Sequence, residues 1–235
     1  MRRFLLTTTC LFAVAAPAHA QTVIDTKRTD PVRTATIKAG TPDAIRIAAA
    51  GSVVPTAGTA VTIDSANAVV NEGTIQVSNA DNATGILANA GTGGGITNSG
   101  KIILDETYVA TDTDKDGDVD GPFAAGTGRT GIRTAGAYAG AIVNSGSVTV
   151  QGNNSAGIWL GGPLTGAFTH DGTTSVTGDG STAVRVADVT GNVRLAGTIA
   201  AVGRGAVAAR VDGDIAGALV VQGAIGATGY RSAQA

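Results

Sequence analysis

The chain has 235 residues, with 35 Gly, 3% aromatic and 14% charged residues, a single cysteine and a formal charge of −2. Glycine this frequent, with no three-residue period and only 6 Pro, excludes collagen. The abundance of Val, Ile and Thr argues against disorder, because those side chains suit a pleated, half-buried surface. The acidic balance argues against a nucleic-acid or anionic-lipid partner.

Residues 1–20 have the three parts of a secretory signal peptide. Arg2 and Arg3 form a basic start, and the apolar run from Phe4 to Ala16 is too short to span a bilayer. Ala18-His19-Ala20 gives a small-x-small cleavage pattern. Cleavage after Ala20 would leave Gln21 as the mature N-terminus. It would lower Lys+Arg from 16 to 14 against 18 Asp+Glu, a net charge of −4. Cys10 lies within the apolar run, so the mature chain, residues 21–235, holds no cysteine and no disulfide, although an exported protein would be permitted them. Its stability has to come from packing and backbone pairing.

From residue 69 onward the chain repeats itself. Aligned on Gly73, Gly100, Gly146, Gly172, Gly197 and Gly223, the copies recur every 25–27 residues, apart from one step that carries an insertion. Four residues before the glycine stand Val69, Ile96, Ile142, Phe168, Val193 and Leu219. Two after it stand Ile75, Ile102, Val148, Thr174, Ile199 and Ile225, and four after it Val77, Leu104, Val150, Val176, Ala201 and Ala227. Apolar residues at every second position describe a strand with one buried face. A further apolar column follows at Ile86, Ile132, Ile158, Val184 and Ala209.

A period near 25 with several short strands and no helix signal predicts an all-β chain. The architecture is a right-handed parallel β-helix, in which coils stack because none can bury its apolar face alone. At about 4.8 Å per coil, some eight coils make a rod on the order of 40 Å long. An antiparallel sandwich is the competing fold, but it would not need the same residue class to recur in every column. Asn71, Asn98 and Asn144 precede the aligned glycine by two residues and read as turn residues able to form a ladder. His170 takes their place in the next copy and reads as a turn residue rather than a catalytic base.

Three features could carry chemistry. The insertion, at about residues 105–128, contains Asp112, Asp114, Asp116, Gly117, Asp118 and Asp120. Acids at positions 1, 3 and 5 with glycine at 6 match the first half of a calcium loop, whose alternating carboxylates converge on one cation. Position 12 holds Phe123 where a bidentate Glu is required, and no flanking helices are predicted. The expectation is weak Ca²⁺ binding, at about 10⁻⁴ to 10⁻³ M; the competing reading is a solvated acidic loop. Gly126, Gly128 and Gly131 spell G-x-G-x-x-G, but they lack the strand-turn-helix context of a dinucleotide site and read as a turn. Finally, the residue after the third apolar column points outward and reads Leu87, Arg133, Trp159, Arg185 and Arg210. Trp159 then stands between Arg133 and Arg185 as a cation–π sandwich, in a stripe able to meet a glycan or another partner.

With these columns in view, the apolar-x-Asn-x-Gly-x-apolar-x-apolar copies and the Ser155-Ala156-Gly157-Ile158 segment, behind a signal peptide, resemble the passenger region of bacterial autotransporters, in their Ala/Gly-rich alphaproteobacterial form. The resemblance implies a right-handed β-helix carried to the cell surface by a C-terminal outer-membrane β-barrel. No amphipathic strands with aromatic girdles, the signature of such a barrel, occur here. The spacing of 12 residues from aligned glycine to the next apolar column places that column, after Gly223, at Ala235. The expectation is therefore an N-terminal part of a longer surface protein: non-enzymatic, exported across the inner membrane to the cell surface or outside, or to the periplasm if truncated. A polysaccharide-acting β-helix enzyme and a calcium-dependent binding module are the alternatives.

Overall fold

The structure, a computed structural model, describes residues 21–113, 115 and 119–229. The expected signal peptide lies outside them. The described chain is a parallel β-helix with no helical segment. Two sheets of eight strands and one of seven run the length of the stack, and a short three-stranded sheet lines one corner. One coil illustrates the rest. Ile142–Asn144 lies in the first sheet, Ser147–Gln151 in the second and Ala156–Leu160 in the third. Leu164–Thr165 then turns the corner back to the first sheet at Phe168–His170.

The repeat columns are the strand registers. Ile142 pairs with Ile96 on one side and Phe168 on the other, Val148 with Ile102 and Thr174, and Ile158 with Ile132 and Val184. Each pairing is parallel and advances by one coil. Inward side chains of the three sheets form a single core, in which Ile96, Ile102, Ile132, Ile142, Val148 and Ile158 are fully buried. Burying an Ile or Val side chain is worth about 1.5–3 kcal/mol, so the core columns supply the stacking free energy.

Two columns play roles other than those expected. Asn71, Asn98 and Asn144 are not turn residues: they end strands of the first sheet, face the core and are fully buried. Asn71 Nδ2 donates to Asn98 Oδ1 at 2.7 Å, and Asn98 Nδ2 to Asn144 Oδ1 at 2.7 Å. His170 occupies the same inward register and is also fully buried. Nor do most of the aligned glycines serve a left-handed turn, Gly197 alone among them having positive φ. They sit where successive coils cross at contact distance. A Cβ on Gly146 would lie 2.1 Å from the Gly100 carbonyl oxygen, and one on Gly172 would lie 2.1 Å from that of Gly146. The left-handed turn column is elsewhere, at Asn82, Gly128, Asn154, Gly180 and Gly205, with φ of 49–73°.

Candidate functional site

The outward ladder is a strand column of the third sheet. Leu87 pairs with Arg133, Arg133 with Trp159, Trp159 with Arg185, and Arg185 with Arg210. The inward neighbours Ile132, Ile158 and Val184 are buried, so parity turns these side chains to solvent. Consecutive coils then set planar groups face to face. The Arg133 guanidinium carbon lies 4.6 Å from the Trp159 ring centre, and that of Arg185 lies 5.2 Å from it on the other face. Both faces of the indole are thereby covered by cations. Arg185 and Arg210 share Asp212, one through each carboxylate oxygen. The Arg185 hydrogen bond, seconded by Arg210, holds that carboxyl below the usual carboxylate range. Arg133 pairs with no carboxylate among the described residues.

Beside this stack runs a groove of about 360 Å³, built from four successive coils. Arg133, Trp159 and Arg185 form one wall, Thr130, Ala156 and Thr182 lie along the floor, and Asn82, Gly128, Asn154 and Gly180 form the other wall. The second wall is the left-handed turn column. Asn82 and Asn154 alternate there with glycines over which their side chains lie: a Cβ on Gly128 would meet Asn82 Oδ1 at 2.4 Å, and one on Gly180 would meet Asn154 Oδ1 at 2.8 Å. The lining holds two guanidiniums and no carboxylate. Sequence reasoning missed this wall, although Asn or Gly four residues before each member of the third apolar column was a readable signal.

The acidic insertion grows from the same corner as that second wall, the turn between the second and third sheets. It leaves the strand Lys101–Asp105 and rejoins the third sheet at Thr130–Thr134. Its base is closed by a buried ion pair, Arg129 Nη1 to Glu106 Oε2 at 2.9 Å, with side chains 2% and 5% exposed. Glu106 also accepts the N–H groups of Ala125 and Gly126, each at 2.7 Å. Arg129 donates further to the carbonyls of Ala80 and Gln151. At the neck, the Asp120 N–H reaches the Thr111 carbonyl at 3.2 Å, and the Asp120 carboxylate accepts both the N–H and the hydroxyl of Thr113. Asp112 Oδ1 accepts the Lys115 N–H at 2.6 Å. Asp114, Asp116 and Asp118 lie outside the described residues, among which no three acidic, histidine or cysteine side chains converge as a metal-holding group. Phe123, at the twelfth position of the calcium pattern, is buried.

No family model, curated protein or solved structure gives a significant match to the chain.

His170 touches neither region. Its Nδ1 lies 2.8 Å from the Ala196 carbonyl oxygen and its Nε2 lies 2.9 Å from the Thr174 hydroxyl. A carbonyl only accepts, so Nδ1 carries the proton and Nε2 accepts from Thr174. His170 and Thr174, each a departure from the residue class of its column, thus satisfy each other inside the core. Burial pushes the imidazole below its ordinary pKa, against the opposing pull of the Ala196 carbonyl and Asp171.

Proposed function

We propose that the chain is a non-enzymatic, exported β-helical passenger of an autotransporter-like surface protein, a rod that displays binding ladders outside the cell. The observation that carries this reading is the coil-on-coil parallel stack, whose outward columns repeat one side chain per coil. Such a scaffold gains length without needing disulfides and offers the long surfaces that solenoids use for recognition. The secretory pattern of residues 1–20 supports export. Hydrolysis of a polysaccharide needs paired carboxyl groups flanking the bond, whereas the groove offers guanidinium, carboxamide and hydroxyl groups. The test is expression of the gene in its own host, with N-terminal sequencing and protease shaving of intact cells. Gln21 at the N-terminus and loss of the protein on shaving are expected. An intact Met1 in the cytosol sinks the export reading, and depolymerisation of a polyuronate by the purified protein sinks the non-enzymatic one.

A second reading, calcium held by the acidic loop, is favoured by the Asp120–Thr111 contact, which draws Asp112 and Asp120 together at the neck of the loop. A calcium-dependent rise in melting temperature over about 0.1–1 mM, abolished in Asp116→Ala, is the expected result. No shift up to about 10 mM, well beyond the range of extracellular modules, removes it.

A further inference from the structure

We infer that the groove beside Trp159 binds a linear anionic polysaccharide, laid along the axis of the rod with its acid groups on Arg133 and Arg185. Those arginines sit two coils apart, about 9.6 Å at the spacing of paired strands. A pyranose in an extended chain advances about half that distance, so acid groups on alternate sugars fall in step with the two cations. The opposite wall matches the remainder of such a ligand. The Asn82 and Asn154 side chains are exposed and bond to no other described residue, leaving their donors and acceptors open to sugar hydroxyls.

The electrostatics select an anion. Arg133 has no carboxylate partner among the described residues, the lining contains none, and the Asp212 that balances Arg185 lies outside the groove. The stack fixes both guanidiniums against the indole, so little side-chain freedom is lost when their outer N–H edges take a carboxylate or sulfate. The same stack argues against nucleic acid: single strands are held by bases stacked on aromatic faces, and both faces of Trp159 are occupied. This inference stands on the groove alone, so it survives if the export reading fails.

Trp159 is the only tryptophan of the chain, which makes its fluorescence a reporter for this groove. The experiment titrates the purified full-length protein with oligogalacturonate, with heparin oligosaccharide, with neutral dextran and with single-stranded DNA, at low and high salt. A saturable change in emission with either acidic saccharide, weakened by salt, is expected; the uronate and heparin arms tell carboxylate from sulfate recognition. Arg133→Ala and Arg185→Ala should each weaken binding roughly tenfold or more, the scale of a lost charge-assisted contact. Asn154→Ala should weaken it less, and all three variants should retain the wild-type circular dichroism. Equal response to dextran, response to DNA alone, no response to either acidic saccharide, or binding indifferent to Arg133→Glu overturns the assignment. Because emission could be altered by Arg133→Ala itself, calorimetry with the better-binding saccharide provides the second readout.

Discussion

His170 is where a single proton meets the core. Its neutral form is bonded on both nitrogens inside the stack, and burial holds its pKa below the ordinary value of about 6.5. The folded state therefore disfavours the charged imidazole more than the unfolded chain does. Stability from this residue is full above about pH 6.5, and it falls as pH drops from there through the lowered folded-state pKa, by at most about 1.4 kcal/mol per pH unit. Urea midpoints measured between pH 8 and pH 5 should show this decline, and His170→Asn should flatten it. Asparagine at that position would also place an acceptor beside Asn144 Nδ2, a buried donor with no partner. A slope that persists unchanged in the variant would assign the decline to other groups. The inward position of this column was legible by parity alone, since Asn71 stands two residues after the buried Val69. The habit of asparagine in turns pointed the other way, and the ladder decided it: a buried carboxamide is tolerated when its neighbours a coil away share its hydrogen bonds.

At the scale of elements, the strands and their registers could be read directly, because a column of side chains facing one core must keep its class from coil to coil. Arg129 could not be read this way. Its column holds Ala83, Ser155, Ser181 and Ala206 in neighbouring coils, and the partner that makes a guanidinium tolerable there, Glu106, sits in the insertion, where no repeat gives a register. Removing one member of such a buried pair strands the other charge. Glu106→Ala should accordingly cost about 3–5 kcal/mol, read as a fall in the denaturant midpoint. It should also release the N–H groups of Ala125 and Gly126 and hasten proteolysis within residues 107–124. Unchanged stability would mean that the pair is not formed in solution. The Arg–Trp–Arg stack, by contrast, followed from counting one residue past the third apolar column, whereas the groove beside it required knowing which turn residues face the same way.

For the molecule as a whole, contacts run from each coil to the next, so the rod should tolerate the loss of one complete unit and not of a part. Deleting residues 173–197 joins Gly172 to Thr198 and preserves all three registers. It also brings Arg210 into the place of Arg185 against Trp159. The shortened protein should keep its β-sheet circular dichroism, unfold cooperatively and retain the tryptophan emission of the parent, while deletion of residues 173–185 should abolish folding. If both deletions behave alike, coil register is not what holds the stack together.

The parallel pairing has a mechanical side. Strands lie across the rod and their hydrogen bonds point along it, from Gln21 paired with Ala44 to Ala224 paired with Thr198. Tension applied to the two ends of the chain therefore loads one coil boundary at a time instead of shearing a whole sheet. Each coil that lets go frees about 25 residues of chain, roughly 80 Å when drawn out, before the next boundary feels the pull. The rod would pay out like rope from a coil, absorbing work in equal steps while the part still wound keeps its shape.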